Sequence, residues 1–214
     1  MPALPALHYD PPRDGPSVLH VDEALLIVDK PAGLLSVPGR DPAHGDCVQG
    51  RLAAMYPNSR LVHRLDMDTS GVMVFACTPE AQRHLGLQFE KRHVRKTYHA
   101  LTARAPEGTS GRIDAPIRTD WPNRPLQQIH PEGRAAQTDW HLEAAGPPAR
   151  LRLHPLTGRS HQLRLHLAHL GLPIIGDRFY DGALAPRLML HASAIELRHP
   201  IGGAALRFES PCPF

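Results

Sequence analysis

One short polar segment between two apolar runs carries many of the side chains in this chain that could do chemistry. Residues 62–71 read VHRLDMDTSG, and they combine two carboxylates with an imidazole, a guanidinium and two hydroxyls. An ionised carboxylate such as Asp66 can act as a nucleophile or as a general base, and a nearby arginine would favour its charged form. Considered alone, Asp66 is better explained as a turn or cap aspartate, because aspartate is common at both.

Two further segments could complete a site around this aspartate. They are RKTY at residues 95–98 and TGRSHQLR at residues 157–164. Tyr98 is aromatic and can hydrogen-bond, so it could stack on a base and assist proton movement, and Arg164 could pair with a carboxylate. Without further context, Tyr98 also fits an ordinary strand tyrosine and Arg164 an exposed helix arginine. None of the segments is a phosphate-binding loop or a metal signature.

The histidines do not predict a metal site. The chain has 15 of them, and His161, His166 and His169 lie close together in the sequence. Their spacing spreads them around a helix, whereas a zinc-binding helix pairs histidines at positions i and i+4. We therefore expect no metal.

The charge balance weakly favours a nucleic-acid partner. Lysine and arginine number 24 against 21 acidic residues, a formal net charge of +3, and the sequence pI is about 9.0, a value that is typical of such proteins. Clusters that could follow nucleic-acid phosphates include Arg92, Arg95, Lys96 and Arg187, with Arg118 and Arg124 near Trp121. Any single one of these cations also fits a solvated surface charge.

Cysteine usage and hydropathy point to the cytoplasm. The three cysteines are an odd number without a CxxC pair, so neither a disulfide framework nor a cysteine zinc site is predicted. The first 15 residues are broken by prolines and have no signal-peptide pattern. No apolar run approaches the roughly 20 residues of a membrane helix. We expect a cytoplasmic protein that does not associate with membranes.

The chain of 214 residues is long enough for one large domain, and its periodicity predicts an α+β architecture. Helices are predicted at residues 48–55 with Asp46 as the cap, from Pro79 to Phe89 with Thr78 as the cap, and at residues 160–170. Strands are predicted at residues 25–28 and 72–77, within 95–103 and 137–154, and at 193–197 and 204–209. No composition break marks a linker, so a single catalytic unit is expected.

Ordered motifs along nearly the whole chain, from about residue 21 to residue 210, indicate a family. They read LLIVDKPAGLLSVPG, HRLDMDTSG, RKTYHAL and LTGRSHQLRLHLAHLGLPIIGD, with the shorter segments DWPNRP and APRLMLHA. In this order they resemble the RluA family of pseudouridine synthases. The resemblance implies that family's fold, a mixed and mostly antiparallel sheet flanked by helices, with the active site in a central cleft.

The resemblance also implies catalytic roles. Asp66, in HRLD, matches the family's catalytic aspartate, and Tyr98, in RKTY, matches the active-site tyrosine. Arg164, in HQLR, matches the arginine that pairs with the aspartate. Asp68 falls on a variable family position, so a structural role is expected for it.

Other matches concern RNA and base binding. Arg64 matches the arginine that holds the RNA open where the uridine leaves its stack, although a phosphate contact alone is the alternative. Leu190, in LMLHA, matches an apolar residue that lines the base pocket. His63, next to Arg64 in the same motif, is grouped with these binding residues.

The implied reaction is the isomerisation of uridine to pseudouridine in RNA. It needs no cofactor, because the base is detached from the sugar and rejoined through carbon without a redox change. Asp66 could attack the sugar carbon or remove a sugar proton to give a glycal, and the sequence leaves both routes open. The target base must first be flipped out of its stack.

The predicted organisation is a Pro-rich lead at residues 1–20 and a catalytic domain at residues 21–214, without an S4-type RNA-binding domain. The cleft must then read its own substrate, which favours family members that act on stem-loops of both 23S rRNA and tRNA. No obligatory protein partner is predicted. The alternatives are a synthase for a different tRNA site, a non-catalytic RNA-binding protein of the same fold and, least compatible with the motifs, a metal-dependent nuclease or hydrolase.

Overall fold

The computed structural model describes residues 9–214, and within them the chain forms a large sheet with three α-helices. The helices are α1 (Val48–Met55), α2 (Pro79–Glu90) and α3 (Gln162–His169). The first six strands are β1 (Ser17–Val21), β2 (Leu25–Lys30), β3 (Arg60–Leu61), β4 (Ser70–Ala76), β5 (Arg95–Thr102) and β6 (Ser110–Asp114). The others are β7 (Ile117–Thr119), β8 (Gln127–Ile129), β9 (Gln137–Ala144), β10 (Ala149–Pro155), β11 (Leu190–Arg198) and β12 (Ala205–Glu209).

The sheet has ten strands and is antiparallel except at one central pair. Its main order is β1-β2-β4-β11-β5-β10-β9-β6, while β12 pairs with β11, β3 pairs with β4, and β7 and β8 form a separate hairpin. The parallel pair joins β4 to β11, with Ser70 opposite His191 and Gly71 opposite Ala192. This pairing places the end of the polar segment 62–71 beside a strand more than a hundred residues later.

The core lies on both faces of the sheet because side chains alternate along β2 and β4. On one face, Leu25, Ile27, Val72 and Val74 pack with α2, and on the other face Leu26, Val28, Met73 and Phe75 pack with α1. The apolar runs predicted as strands are therefore buried from both sides. Farther along the sheet, α3 packs on β5, β9 and β10.

The helix starts follow from their capping residues. Thr78 accepts a hydrogen bond from the Ala81 backbone N–H and Pro79 occupies the first helical position, which confirms the prediction for α2. The prediction for α1 was wrong at its cap: Cys47, not Asp46, caps the helix through its Sγ. The Asp46 carboxylate instead binds the Arg51 guanidinium at 2.7 and 2.8 Å.

Helix α3 differs from the predicted amphipathic helix. Residues 162–167 are all buried, because the helix is packed against the sheet and also covered by residues 115–136 and 179–180. Arg164 is only 3% exposed, so the interpretation of this residue as a surface arginine is wrong. His161 precedes the helix with a φ of 54°, a left-handed conformation that is uncommon outside glycine.

Several elements were not predicted. Strand β1 overlaps the predicted lead, since Ser17 to Val21 pair with β2. Residues 1–8 of that lead lie outside the described part of the chain. Strands β3 and β6 and the β7–β8 hairpin are also absent from the sequence prediction, because each is short and has no clear apolar alternation. Within residues 9–214, no helix combines the length and the apolar character needed to cross a membrane.

Candidate active site

A cavity of about 350 Å³, here called the catalytic cavity, opens where the segment 62–71 meets β5, β11 and the start of α3. All six residues predicted for the site line it: His63, Arg64, Asp66, Tyr98, Arg164 and Leu190. They come from four separate stretches of the chain. The structure thus brings together in one concave site the residues that the motifs singled out.

Backbone contacts fix the chain on both sides of Asp66. The Ser36 hydroxyl donates to the Leu65 carbonyl at 2.6 Å and accepts from the Leu65 N–H at 3.2 Å. On the other side, the buried Lys30 ammonium donates to the Met67 carbonyl at 2.7 Å, and the Gly33 N–H reaches the same oxygen. The carboxylate of Asp66 therefore projects from a short loop that is held at both neighbouring residues.

Lys30 also ties this loop to the segment after β2. Its ammonium donates to the carbonyls of Pro31 at 2.9 Å and Leu34 at 2.6 Å. The side chain is fully buried, and this burial lowers its pKa to about 7, against the opposing pull of Asp68 and Asp66. Three carbonyl partners explain how an amine is tolerated in the core.

The predicted pairing of Arg164 with Asp66 is present but secondary. Arg164 Nη1 lies 3.7 Å from Asp66 Oδ2, beyond hydrogen-bond distance. Its Nε and Nη2 instead form a bidentate pair with the fully buried Asp177 carboxylate, at 2.7 and 2.6 Å. Burial works to lower the pKa of Arg164, but the hydrogen bonds with Asp177 raise it. Arg164 is therefore a charged group held in place by Asp177 and directed by its third nitrogen toward Asp66.

Asp177 is a residue that the sequence analysis missed. It is the last residue of the motif that ends in IIGD. Nothing local in the sequence indicates that its partner is an arginine in the preceding helix, α3. The rings of Phe179 and Tyr180 also lie 5.0 and 5.5 Å from the Arg164 guanidinium carbon. A buried cation between a carboxylate and two aromatic rings is well compensated.

Tyr98 and Leu190 form an apolar wall of the cavity. Tyr98 lies on β5, opposite Ala192 of β11 and Leu153 of β10. Burial, followed by the charge of Asp66, raises the pKa of its phenol, so the group stays neutral at physiological pH. Leu190 begins β11 on the neighbouring strand. This wall suits the faces of a planar base.

His63 makes a structural contact as well as lining the cavity. Its Nε2 accepts a hydrogen bond from the Val74 N–H at 3.0 Å, and its ring stacks on Phe89 at a centroid distance of 4.8 Å. Burial and the nearby Lys96 lower its pKa to about 3, so the imidazole is neutral. The predicted contact of His63 with RNA stays a prediction.

Arg64 differs from its neighbours because it is exposed. It has no carboxylate partner within ion-pair distance among the residues that the structure describes. The side chain borders the catalytic cavity and also a second cavity next to it. An unpaired guanidinium at this position is available to a polyanion.

Two more cavity residues were in the quoted motifs but received no catalytic prediction. Lys96 donates to the Thr157 carbonyl at 3.2 Å, and burial lowers its pKa to about 8. His161 Nδ1 lies 2.9 Å from the Tyr180 hydroxyl, which already accepts from the Gln127 N–H. A hydrogen bond thus joins Tyr180 to His161, whose pKa is lowered mainly by burial.

Of the other two histidines in that stretch, His166 has protein partners and His169 is exposed. His166 is buried, with its ring nitrogens 2.9 Å from Thr138 Oγ1 and 3.0 Å from the Ala115 carbonyl. Within residues 9–214, no group of three histidine, cysteine or acidic side chains is arranged to hold a metal ion.

Comparisons with known proteins point to a single family. A family model described as RNA pseudouridylate synthase matches residues 24–169. Proteins named dual-specificity RNA pseudouridine synthase RluA from Salmonella typhimurium and Escherichia coli K12 are each 46% identical, covering 97% of this chain and 98% of theirs. The protein of that name from Vibrio vulnificus is 43% identical, covering 97% of this chain and 88% of its own.

Solved structures agree with the fold. Human RNA pseudouridylate synthase domain containing 1 superposes with a TM-score of 0.77 at 28% identity, over 94% of this chain and 84% of that one. Human RNA pseudouridylate synthase domain containing 4 gives a TM-score of 0.73 at 27% identity, over 92% and 88%. The predicted α+β fold with a mostly antiparallel sheet is confirmed, and this chain belongs to the RNA pseudouridylate synthase family.

Proposed function

We propose that this protein converts uridine to pseudouridine in stem-loops of both 23S rRNA and tRNA. The dual specificity is supported by the names of relatives that match the chain over 97% of its length. The observation that carries the assignment of the site is the convergence of Asp66, Tyr98 and Arg164 on one cavity. Residues 21–214 then serve both as the catalytic domain and as the RNA-reading surface, in the cytoplasm, where both RNAs are found.

The reaction rearranges bonds without net oxidation. The bond between N1 of uracil and C1′ of ribose breaks, the base turns while it stays bound, and C5 forms the new bond to C1′. The proton on C5 is lost, and N1 ends protonated. The site must therefore hold a detached base and exclude water, which would otherwise hydrolyse the intermediate.

Asp66 is the group that we assign to the sugar. It is the carboxylate in the cavity that has no close hydrogen-bond partner in the described structure, and Arg164 Nη1 lies 3.7 Å from its Oδ2. Ionised Asp66 can either attack C1′ or remove the C2′ proton. Because Asp177 already neutralises Arg164, the arginine orients Asp66 without locking it in a bidentate pair.

Tyr98 and Leu190 are assigned to the base. A neutral phenol ring and a leucine side chain can support one face of uracil while it is detached and turned, and the phenol oxygen can take part in proton movement at C5. Arg64, exposed at the mouth of the cavity, is assigned to the space that the flipped uridine leaves in the RNA stack.

The test uses RNA labelled with tritium at C5 of uridine, since formation of the new bond releases that hydrogen. We expect the protein to release tritium from one 23S rRNA stem-loop and one tRNA anticodon stem-loop, and mass spectrometry to find pseudouridine in each. Asp66→Asn should abolish release and keep RNA affinity within a few-fold. The matched control is Asp68→Asn, because Asp68 lies two residues away and pairs with Arg178.

The outcomes separate the alternatives. Release from a single tRNA site alone would replace dual specificity with a different tRNA substrate. Binding without release from any RNA would favour a non-catalytic RNA-binding protein. Full turnover by Asp66→Asn would refute the assignment of this residue.

A further inference from the structure

A second cavity, of about 570 Å³, adjoins the catalytic cavity. The two share six residues, which are Arg64, Leu65, Asp66, Ser160, His161 and Arg164. The remaining walls of this adjoining cavity come from the segment after β2, the β7–β8 hairpin, residues 67–68 and Phe179. An RNA strand that places one nucleotide at Asp66 can continue directly into this space.

The adjoining cavity presents unpaired positive charge. Arg40, Arg64 and Arg124 line it and are exposed, and none of them has an ion-pair partner within the described part of the chain. Each acidic side chain in its wall has an arginine beside it, since Asp66 lies 3.7 Å from Arg164 and Asp68 pairs with Arg178 at 3.1 Å. This charge pattern suits a phosphate backbone.

Trp121 packs against Arg124, which lines this cavity. Its side chain is 68% exposed, whereas every other phenylalanine, tyrosine and tryptophan within residues 9–214 is buried or half-buried. The Arg124 guanidinium carbon lies 4.6 Å from the centre of its ring. One face of the indole is therefore covered by an arginine that lines the cavity, and much of the rest is open to solvent.

The loop that carries Trp121 is an ordered structure. The Asp120 N–H donates to the Leu126 carbonyl at 3.0 Å, and the Asn123 N–H donates to the Asp120 carbonyl at 3.1 Å. Leu126 is buried and packs with Tyr180. Because the Tyr180 hydroxyl also contacts His161 in the catalytic cavity, the hairpin is connected to the cleft wall.

We propose that Trp121 stacks on an unpaired base of the RNA substrate beside the target uridine, while Arg124 contacts a neighbouring phosphate. Aromatic side chains on exposed, ordered loops are effective platforms for unstacked bases, and stacking tolerates any base because each has a flat face. The hairpin then selects loops over duplexes. This inference rests on the proposed function, because the bound base is defined by its distance from the target uridine.

The first test uses intrinsic fluorescence. The chain has two tryptophans, and Trp140 is buried in the core, so Trp140→Phe leaves Trp121 as the sole reporter. We expect the substrate stem-loop to quench this emission at saturation, and a duplex of the same length without unpaired bases to leave it nearly unchanged. Unaltered emission with bound stem-loop would overturn the proposal. If Trp140→Phe does not fold, the RNA-dependent change in the unmodified protein is compared with that in Trp121→Phe.

The second test measures affinity and turnover. Trp121→Ala should weaken stem-loop binding about tenfold, Trp121→Phe should stay within about threefold, and neither should alter duplex binding. Ile201→Ala, which removes another exposed apolar side chain, is the control and should bind like the unmodified protein. Equal loss of stem-loop and duplex affinity would mean a backbone contact and would reject stacking. If the unmodified protein forms pseudouridine and Trp121→Ala binds normally, only this inference fails, whereas no pseudouridine from the unmodified protein refutes the proposed function itself.

Discussion

The ammonium group of Lys30 lies 2.7 Å from the carbonyl oxygen of Met67, the residue that follows Asp66 in the chain. A fully buried lysine on β2 thus fixes the backbone of the loop that carries the candidate catalytic carboxylate. The role of Lys30 is structural, since the hydrogen bonds of its side chain all go to backbone carbonyls.

Replacing Lys30 should therefore lower the stability of the protein. Lys30→Met leaves the buried carbonyl of Leu34 and the partly buried carbonyl of Pro31 without this donor. We expect a loss of about 2 kcal/mol or more in the free energy of unfolding, because an unpaired buried acceptor costs about 1–3 kcal/mol. Urea unfolding measures this, with Lys91→Met, at the exposed end of α2, as control. Unchanged stability in Lys30→Met would show that the loop is held by its other contacts.

The same isosteric change should destabilise the protein far more at Asp177 than at Asp66. Asp177→Asn leaves the buried Arg164 guanidinium without its bidentate partner, at a cost of about 3–5 kcal/mol. Asp66→Asn removes a partly exposed carboxylate at 3.7 Å, so its effect on stability should be below about 1 kcal/mol. Urea unfolding of both variants gives the comparison. Equal destabilisation would contradict the assignment of Asp177 as the principal partner.

Gly71 is required where β4 meets β11. Its φ is +113°, and a Cβ there would collide with the backbone of Ala192. We expect Gly71→Ala to destabilise the protein by at least about 2 kcal/mol. The control is Gly86→Ala on the exposed side of α2, where a Cβ meets nothing within 4 Å and should stabilise by up to about 1 kcal/mol. Thermal unfolding of the pair tests the prediction, which a stable Gly71→Ala would contradict.

Lys96 should give RNA binding and stability a pH dependence. Burial lowers its pKa from about 10.5 to about 8, so its positive charge in the cavity fades above pH 8 and RNA affinity should fall there. Stability should change in the other direction. Between these two pKa values the unfolded chain binds more protons than the folded one, so the lysine's contribution to unfolding free energy rises with pH.

The measurement for Lys96 compares two variants. RNA affinity and urea unfolding are followed across this pH window in Lys96→Met and in Lys91→Met. In Lys96→Met, the pH dependences of RNA affinity and of the free energy of unfolding should lose the part that Lys96 contributes. In Lys91→Met, both should keep that part. Identical slopes in the two variants would mean that Lys96 titrates outside the window.

The sequence predicted elements whose signals are local. Thr78 and Pro79 define a helix start within two residues, and the run at 72–77 is apolar on both faces, so α2 and β4 were predictable. The motif match placed Asp66, Tyr98 and Arg164 together. Asp177 was missed because its role depends on packing between α3 and a later turn. The hairpin with Trp121 was missed because its strands span only three residues each.

The parallel pairing of β4 with β11 determines when, during synthesis, the protein can become active. The pairing places Ser70 opposite His191, and their side chains lie 2.8 Å apart, so the site is complete only after residues 121 positions apart in the sequence have met. Contacts of such long range form slowly and late. A polypeptide still emerging from the ribosome therefore lacks the Leu190 wall beside Asp66, and activity begins only once synthesis of β11 is complete.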